Sequence, residues 1–172
     1  NEKDSKFDIP YPKNSQSTIR LVIGDNCQIN LVEENYSINQ LSEDKLVKYI
    51  KEQISCFDQN ENWSDLLNLS LNSTKNTLGF KVSGSEIPPI EIFSHASSNS
   101  LNAKTLIIFL EKNCDIDLLQ VNLGKDNSSL SQSTFLCLEE NSSVNHGVVS
   151  YGENKSNLLN SLNVIQQKNS EY

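Results

Sequence analysis

Apolar residues along this chain come in short runs that break at polar tight turns, and one such phrase is written three times. Ile23-Gly24-Asp25-Asn26-Cys27-Gln28-Ile29-Asn30-Leu31 is echoed by Leu110-Glu111-Lys112-Asn113-Cys114-Asp115-Ile116-Asp117-Leu118 and by Leu138-Glu139-Glu140-Asn141-Ser142-Ser143-Val144-Asn145-His146. Each copy is an apolar run, a polar turn centred on Asn, then a stretch alternating apolar with polar. The pattern spells strand, turn, strand, because side chains on a strand point alternately to its two faces. The last two copies are 28 residues apart (139 − 111 = 28), a spacing suited to coils that stack strand on strand. The three turns are therefore expected at equivalent corners, with Leu118 and His146 on neighbouring rungs facing the same side.

From Thr105 onward the text is nearly all strand. Strands are expected at 105–110, 115–121, 133–138, 143–150 and 161–167, punctuated by Gly124-Lys125-Asp126-Asn127 and Gly152-Glu153-Asn154. The first hundred residues are more mixed. Residues 1 to about 17 form a polar leader with Pro10 and Pro12. Ile19 to Leu31 reads as a hairpin turning at Gly24-Asp25-Asn26. Over Ser42 to Ile54 the period changes: Leu46, Val47, Ile50 and Ile54 fall at helical spacing, Ser42 can cap the N-terminus, and Glu43 and Asp44 suit the first turn. A second short helix is expected over Ser64 to Leu71, with Trp63 as a core anchor or, in the sharper alternative, an aromatic ligand platform. Thr77 to Val82 is a strand, Ser83-Gly84-Ser85 a turn, and Pro88-Pro89 an extended lead into Ile90-Glu91-Ile92-Phe93. The organisation is an α/β region with two short helices over residues 1–100 and an all-β region with repeat character over 101–172.

Composition narrows the function. With 172 residues there is enough chain for a real core. A net charge of −8 and a single arginine, Arg20, argue against a nucleic-acid partner, which needs clustered cations. The longest strongly apolar run is Leu106 to Leu110, so nothing in the sequence reads as a membrane span. The chain holds no Met and so no initiator, as expected of a piece of something longer, and Asn1 to Ser5 carry no signal-peptide apolar region. The four cysteines stand at 27, 56, 114 and 137, too far apart for the CxxC pairs of zinc sites. Cys27 and Cys114 occupy the place that Ser142 takes in the third copy, so a small side chain beside the turn explains them; reduced, structural thiols are expected. The Asn-x-Ser/Thr triplets, such as Asn68-Leu69-Ser70, follow from an Asn- and Ser-rich composition.

Little catalytic chemistry is visible. His146 takes the apolar place of Leu31 and Leu118, as a core or groove-lining histidine, with ligand or proton-relay duty the sharper alternative. His95 lies in a Ser/Asn-rich stretch and is expected in a solvated loop. Cys137 and His146 could meet across neighbouring strands, but nothing in the spacing requires a metal there. Glu33/Glu34 and Glu139/Glu140 read as solvated turn edges rather than acid–base pairs. GxxxxGK[ST], GxGxxG and GxSxG are all absent. No catalytic residue and no metal ligand is assigned, and cofactor-binding residues stay unknown.

Several phrases, in order, resemble the SufB/SufD family of iron–sulfur cluster assembly scaffolds, its SufD branch most of all. Trp63-Ser64-Asp65-Leu66-Leu67-Asn68-Leu69-Ser70-Leu71 is similar to the family's aromatic-x3-Leu-Asn-x2-Leu helix. Leu78-Gly79-Phe80-Lys81-Val82 followed by Pro89-Ile90-Glu91-Ile92 resembles its strand and "PI-x-I" lead. Thr105 to Leu119 resembles "LIVLEENA-x-L-x-L-x-E", Leu138 to His146 "LGENA-x-L-x-H", and Val164 to Tyr172 "V-Q-x-R-D-S-x-Y". Cys114 and Ser142 stand where that pattern has Ala, and Lys168-Asn169 where it has Arg-Asp. The likeness covers residues 60 to 172 well and 19 to 58 loosely.

The resemblance implies a right-handed parallel β-helix, mainly β with an α/β N-terminal region, truncated so that 101–172 is the start of the β-helix core. It implies a non-catalytic scaffold working with a SufB-like β-helix protein and a SufC-like ABC ATPase, in the cytoplasm or, in a plant or alga, the plastid stroma. No cofactor is expected on this segment, the iron–sulfur cluster being handled by the full complex. The family's SufC-docking segment and its cluster-building His and Cys positions lie beyond Tyr172, so no functional residue carries over. Two other readings belong to different classes: a β-helix carbohydrate-active enzyme and a secreted adhesin-like solenoid. The first needs Asp or Lys/Arg clustered on one sheet face, and the strands from 105 to 167 are poor in both.

Overall fold

The computed structural model describes residues 18–25, 29–31, 37–54 and 76–172. Ten strands and one helix follow in order: β1 Ile19–Ile23, β2 Ile29–Leu31, β3 Ile38–Gln40, α1 Glu43–Ile54, β4 Thr77–Val82, β5 Ile90–Ala96, β6 Leu101–Leu110, β7 Asp115–Gly124, β8 Ser129–Leu138, β9 Ser143–Gly152 and β10 Asn157–Gln166. They form two five-stranded sheets, ordered β2-β1-β5-β7-β9 and β10-β8-β6-β4-β3. From β4 onward the chain alternates between the sheets, and each strand pairs in parallel with the one two places on, so successive coils stack as a parallel β-helix of about three turns. The register is constant: Leu101 faces Ser129, Asp115 faces Ser143, and Leu118 faces His146, as the repeat implied.

Four-residue corners join the ten-residue strands. Within them a left-handed backbone recurs at Asn99, Asn113, Asn127, Asn141, Lys155 and Asn169, one every 14 residues (113 − 99 = 14). Asn tolerates this region because its short amide bonds locally. The next residue is Ser or Cys at every corner, and the hydroxyls of Ser100, Ser142, Ser156 and Ser170 each donate to the carbonyl three residues back at 2.6–2.8 Å. Cys114 keeps the place, its thiol aimed at the carbonyl of Gly84 (3.5 Å). The underlying unit is thus a half-coil, and the 28-residue repeat is two of them.

The first copy of the phrase is the exception. Ile23 pairs with Ile29 antiparallel, so β1 and β2 are neighbours in one sheet, whereas the later copies carry the chain from one sheet to the other. The hairpin reading of Ile19 to Leu31 holds; the expectation of three equivalent corners does not. Asn26 itself, like Cys27, Cys56, Glu33/Glu34, Trp63 and the expected helix over 64–71, lies outside the described residues. β4 and β5 pair in parallel with β6 and β7, so both sheets continue across residue 100.

From β4 onward even-numbered positions point inward, while in β1 the odd-numbered ones do. Phe80, Ile108, Leu136 and Val164 form one inner row, and Ile19, Ile90 and Leu118 face them from the other sheet. Each such fully buried Leu or Ile contributes about 1.5–3 kcal/mol, which outweighs the roughly 1 kcal/mol cost of a left-handed corner. α1 lies on the outer face of the second sheet, where Leu46 packs with Ile107, Phe109, Phe135 and Cys137. That cover explains why Leu106 to Leu110 is apolar without alternation: both faces of this stretch are buried. Leu46 comes so close to Gly79 that a β-carbon there would collide with it. Ser42 accepts from the Leu46 amide at 2.9 Å through its carbonyl, and Glu43 and Asp44 occupy the first turn, as read.

Candidate functional site

An open cleft of about 470 Å³ lies across the starts of the first sheet's strands, touched by Thr18, Glu91, Asp117, Leu119, Asn145 and His146. Parallel stacking builds it: Asp117 and Asn145 are register partners, and Asn145 donates to the Asp117 carboxylate at 3.1 Å. Glu91 is held by Arg20, whose Nε and Nη2 reach the same carboxylate oxygen at 2.8 and 2.5 Å while the guanidinium sits 5.0 Å from the centre of the Phe93 ring. Both partners are almost wholly buried, so this pair is held in place rather than free to bind.

His146 faces inward as the register partner of Leu118. Its Nδ1 lies 3.3 Å from the Tyr172 hydroxyl, the rings meeting edge to face, and its Nε2 is buried with no hydrogen-bond partner. Burial pushes its pKa below the ordinary imidazole value. A neutral ring whose bond goes to a phenol rather than to a carboxylate is poorly arranged as a general base.

His95 departs from expectation. It sits on β5, half-buried, with its ring over Gly24, where a β-carbon would stand 3.2 Å from Nε2. Burial first, then the Lys104 charge, lowers its pKa, with Asp25 opposing. Leu123, its register partner on β7, and the space over Gly24 enclose a residue whose local sequence looks like loop.

The structure keeps Cys137 and His146 apart. Cys137 is on the outer face of β8 beneath α1, where burial raises its thiol to about 12, and His146 is on β9 in the opposite sheet. Cys114 is also buried, free and shifted upward by burial. Among the described residues no three His, Cys, Asp or Glu side chains gather as a metal site. Glu140 pairs with Lys112 on the adjacent coil at 3.2 Å, and Lys125 pairs with Glu153 at 2.6 Å; such exposed rungs contribute about 0–1 kcal/mol each. Again among the described residues, no helix is long and apolar enough to cross a membrane.

Sequence reading missed two columns of polar residues, buried at Lys104, Gln132, Ser94 and Asn122 and exposed at Asn160 and Ser150 on the last coil. Lys104, Gln132 and Asn160 stack in register on one sheet, and Ser94, Asn122 and Ser150 on the other. Lys104 donates to the carbonyls of His95 (2.7 Å) and Ile23 (3.1 Å); Asn122 donates to Asn160 at 2.9 Å, and Asn160 to Ser150 at 2.6 Å. The signal was present as polar residues 28 apart. No protein-family model, curated protein or solved structure matches this chain significantly.

Proposed function

We propose that this chain is a non-catalytic β-helix scaffold of the SufB/SufD kind, holding partners during iron–sulfur cluster assembly. The observation that carries the scaffold part is the stack of parallel coils, each strand in constant register with the one two places on, which forms a rigid and regular surface suited to holding partners. The iron–sulfur part rests on the ordered phrases from Leu78 to Tyr172, of which those from Thr105 onward fall on the strands and corners of successive coils. The partners on this reading are a SufB-like β-helix protein and a SufC-like ABC ATPase, with ATP hydrolysis residing in the latter and the cytoplasm or plastid stroma as the setting. The bond of His146 to a phenol rather than a carboxylate favours holding over catalysis.

The test is to tag the full-length natural protein in its own cells and identify co-purifying chains by mass spectrometry. An ABC-type ATPase together with a β-helix partner is the expected result. ATP or polysaccharide hydrolysis by the purified protein alone would overturn the proposal.

A further inference from the structure

The polar columns are joined by a direct bond at the last coil and are not joined one coil earlier. Asn122, which is buried, donates to Asn160, which is exposed on the final strand, at 2.9 Å. Their register partners one coil earlier are Ser94 and Gln132. Ser94 is 0% and Gln132 1% exposed, yet the Ser94 hydroxyl and both the oxygen and nitrogen of the Gln132 amide have no hydrogen-bond partner. The stacking symmetry gives the reason. The direct bond needs a side-chain amide on each sheet, and serine stops short of where the Asn122 amide reaches. Lengthening the opposite residue to glutamine does not close the gap.

Unpaired polar groups buried this deeply are costly, and native interiors satisfy them with ordered water where the surroundings are polar. Here they are: Lys104 flanks Gln132 in its column, and Thr134 and Gln120 bond across the same interior at 3.1 Å. We infer that an internal water-binding site lies between Ser94 and Gln132, the water taking the place of the amide bond that Asn122 and Asn160 make. Water suits this site because it donates and accepts at once, as the hydroxyl and the amide require. A small anion would leave the Gln132 oxygen unpaired, and an apolar solute would leave all three atoms so.

The test uses the whole chain. Magnetic relaxation dispersion of the water nuclei is compared between the unaltered protein and the double variant Ser94→Asn/Gln132→Asn, which writes the direct Asn–Asn pair into this coil. The expected result is a long-lived internal water signal that falls in the variant; an unchanged signal would overturn the site. Gln132→Leu gives a second readout. Removing a water-satisfied amide lowers the thermal midpoint by roughly 2–8 °C, whereas removing a dry, unsatisfied one raises it. A raised midpoint would also defeat the inference, and if this variant does not fold the relaxation comparison decides alone.

Discussion

Asn141 donates its side-chain amide to the side-chain oxygen of Asn113 on the adjacent coil at 3.3 Å, and accepts in turn from Asn169 at 3.2 Å. All three hold a left-handed backbone, with φ of 60°, 58° and 57° along the chain. One residue type thus does two jobs, easing the corner and tying one coil to the next. Asn141→Ala removes both and is expected to cost about 1–3 kcal/mol. Asn141→Gly keeps the backbone and loses only the ladder, so chemical denaturation should show a clearly smaller loss. Equal losses would mean that backbone conformation contributes nothing at this corner.

Lys155 occupies the left-handed position of the opposite corner, at φ 54°, where earlier coils have Asn99 and Asn127. A long side chain gains no local amide bond there. Lys155→Asn is expected to stabilise the protein by about 0.5–1 kcal/mol, visible as a higher midpoint in thermal or urea unfolding.

His146 and His95 both have pKa values lowered chiefly by burial from the ordinary 6.5. The unfolded chain therefore binds protons first, so their contribution is intact above about pH 6.5 and is lost as pH falls toward the folded values. Asp25 is also shifted down, but as a carboxyl with an ordinary value of 3.8 it acts only in a more acidic window. Stability followed from pH 7.5 to 4.5 should be flat and then decline. His146→Leu, matching Leu118 on the neighbouring rung, should shallow that decline; an unaltered slope would remove His146 as a cause.

Gly79 lies under α1, and a β-carbon there collides with Leu46. Gly79→Ala is expected to destabilise by about 1–3 kcal/mol through overpacking. Combined with Leu46→Ala, which opens space at the contact, the two losses should fall short of their sum in a double-mutant cycle. Strict additivity would show that the helix can shift away freely.

Much of the coil was legible because its repeat is strict. Asn113 and Asn141 mark true corners, and Leu118 and His146 are true register partners. The errors at strand ends share one cause. The expected strands began at 105, 133 and 161, but β6, β8 and β10 begin at Leu101, Ser129 and Asn157, each four residues sooner. Lys104, Gln132 and Asn160 are inward-facing polar residues that close the omitted stretches, and an inward polar residue breaks the apolar–polar alternation. Asn122 shortened β7 in the same way. The site residues were less visible: the ring of His95 is enclosed by a turn some seventy residues away, at Gly24.

Turn chemistry and the apolar rows are written locally, so the sequence by itself determined the corners, the 28-residue coil and the identity of the core from Leu106 to Leu138. It also determined that α1 and the β1–β2 hairpin would form, through helical spacing and a tight turn. Tertiary structure alone decided which polar stretches become strand. A segment such as Leu101 to Lys104 is held extended by backbone hydrogen bonds to the coil that follows it, and those bonds form whatever the side chains are. Stacking likewise decided that Asn122 meets Asn160 and Cys137 turns away from His146, because neighbours across coils are set by register rather than by nearness along the chain.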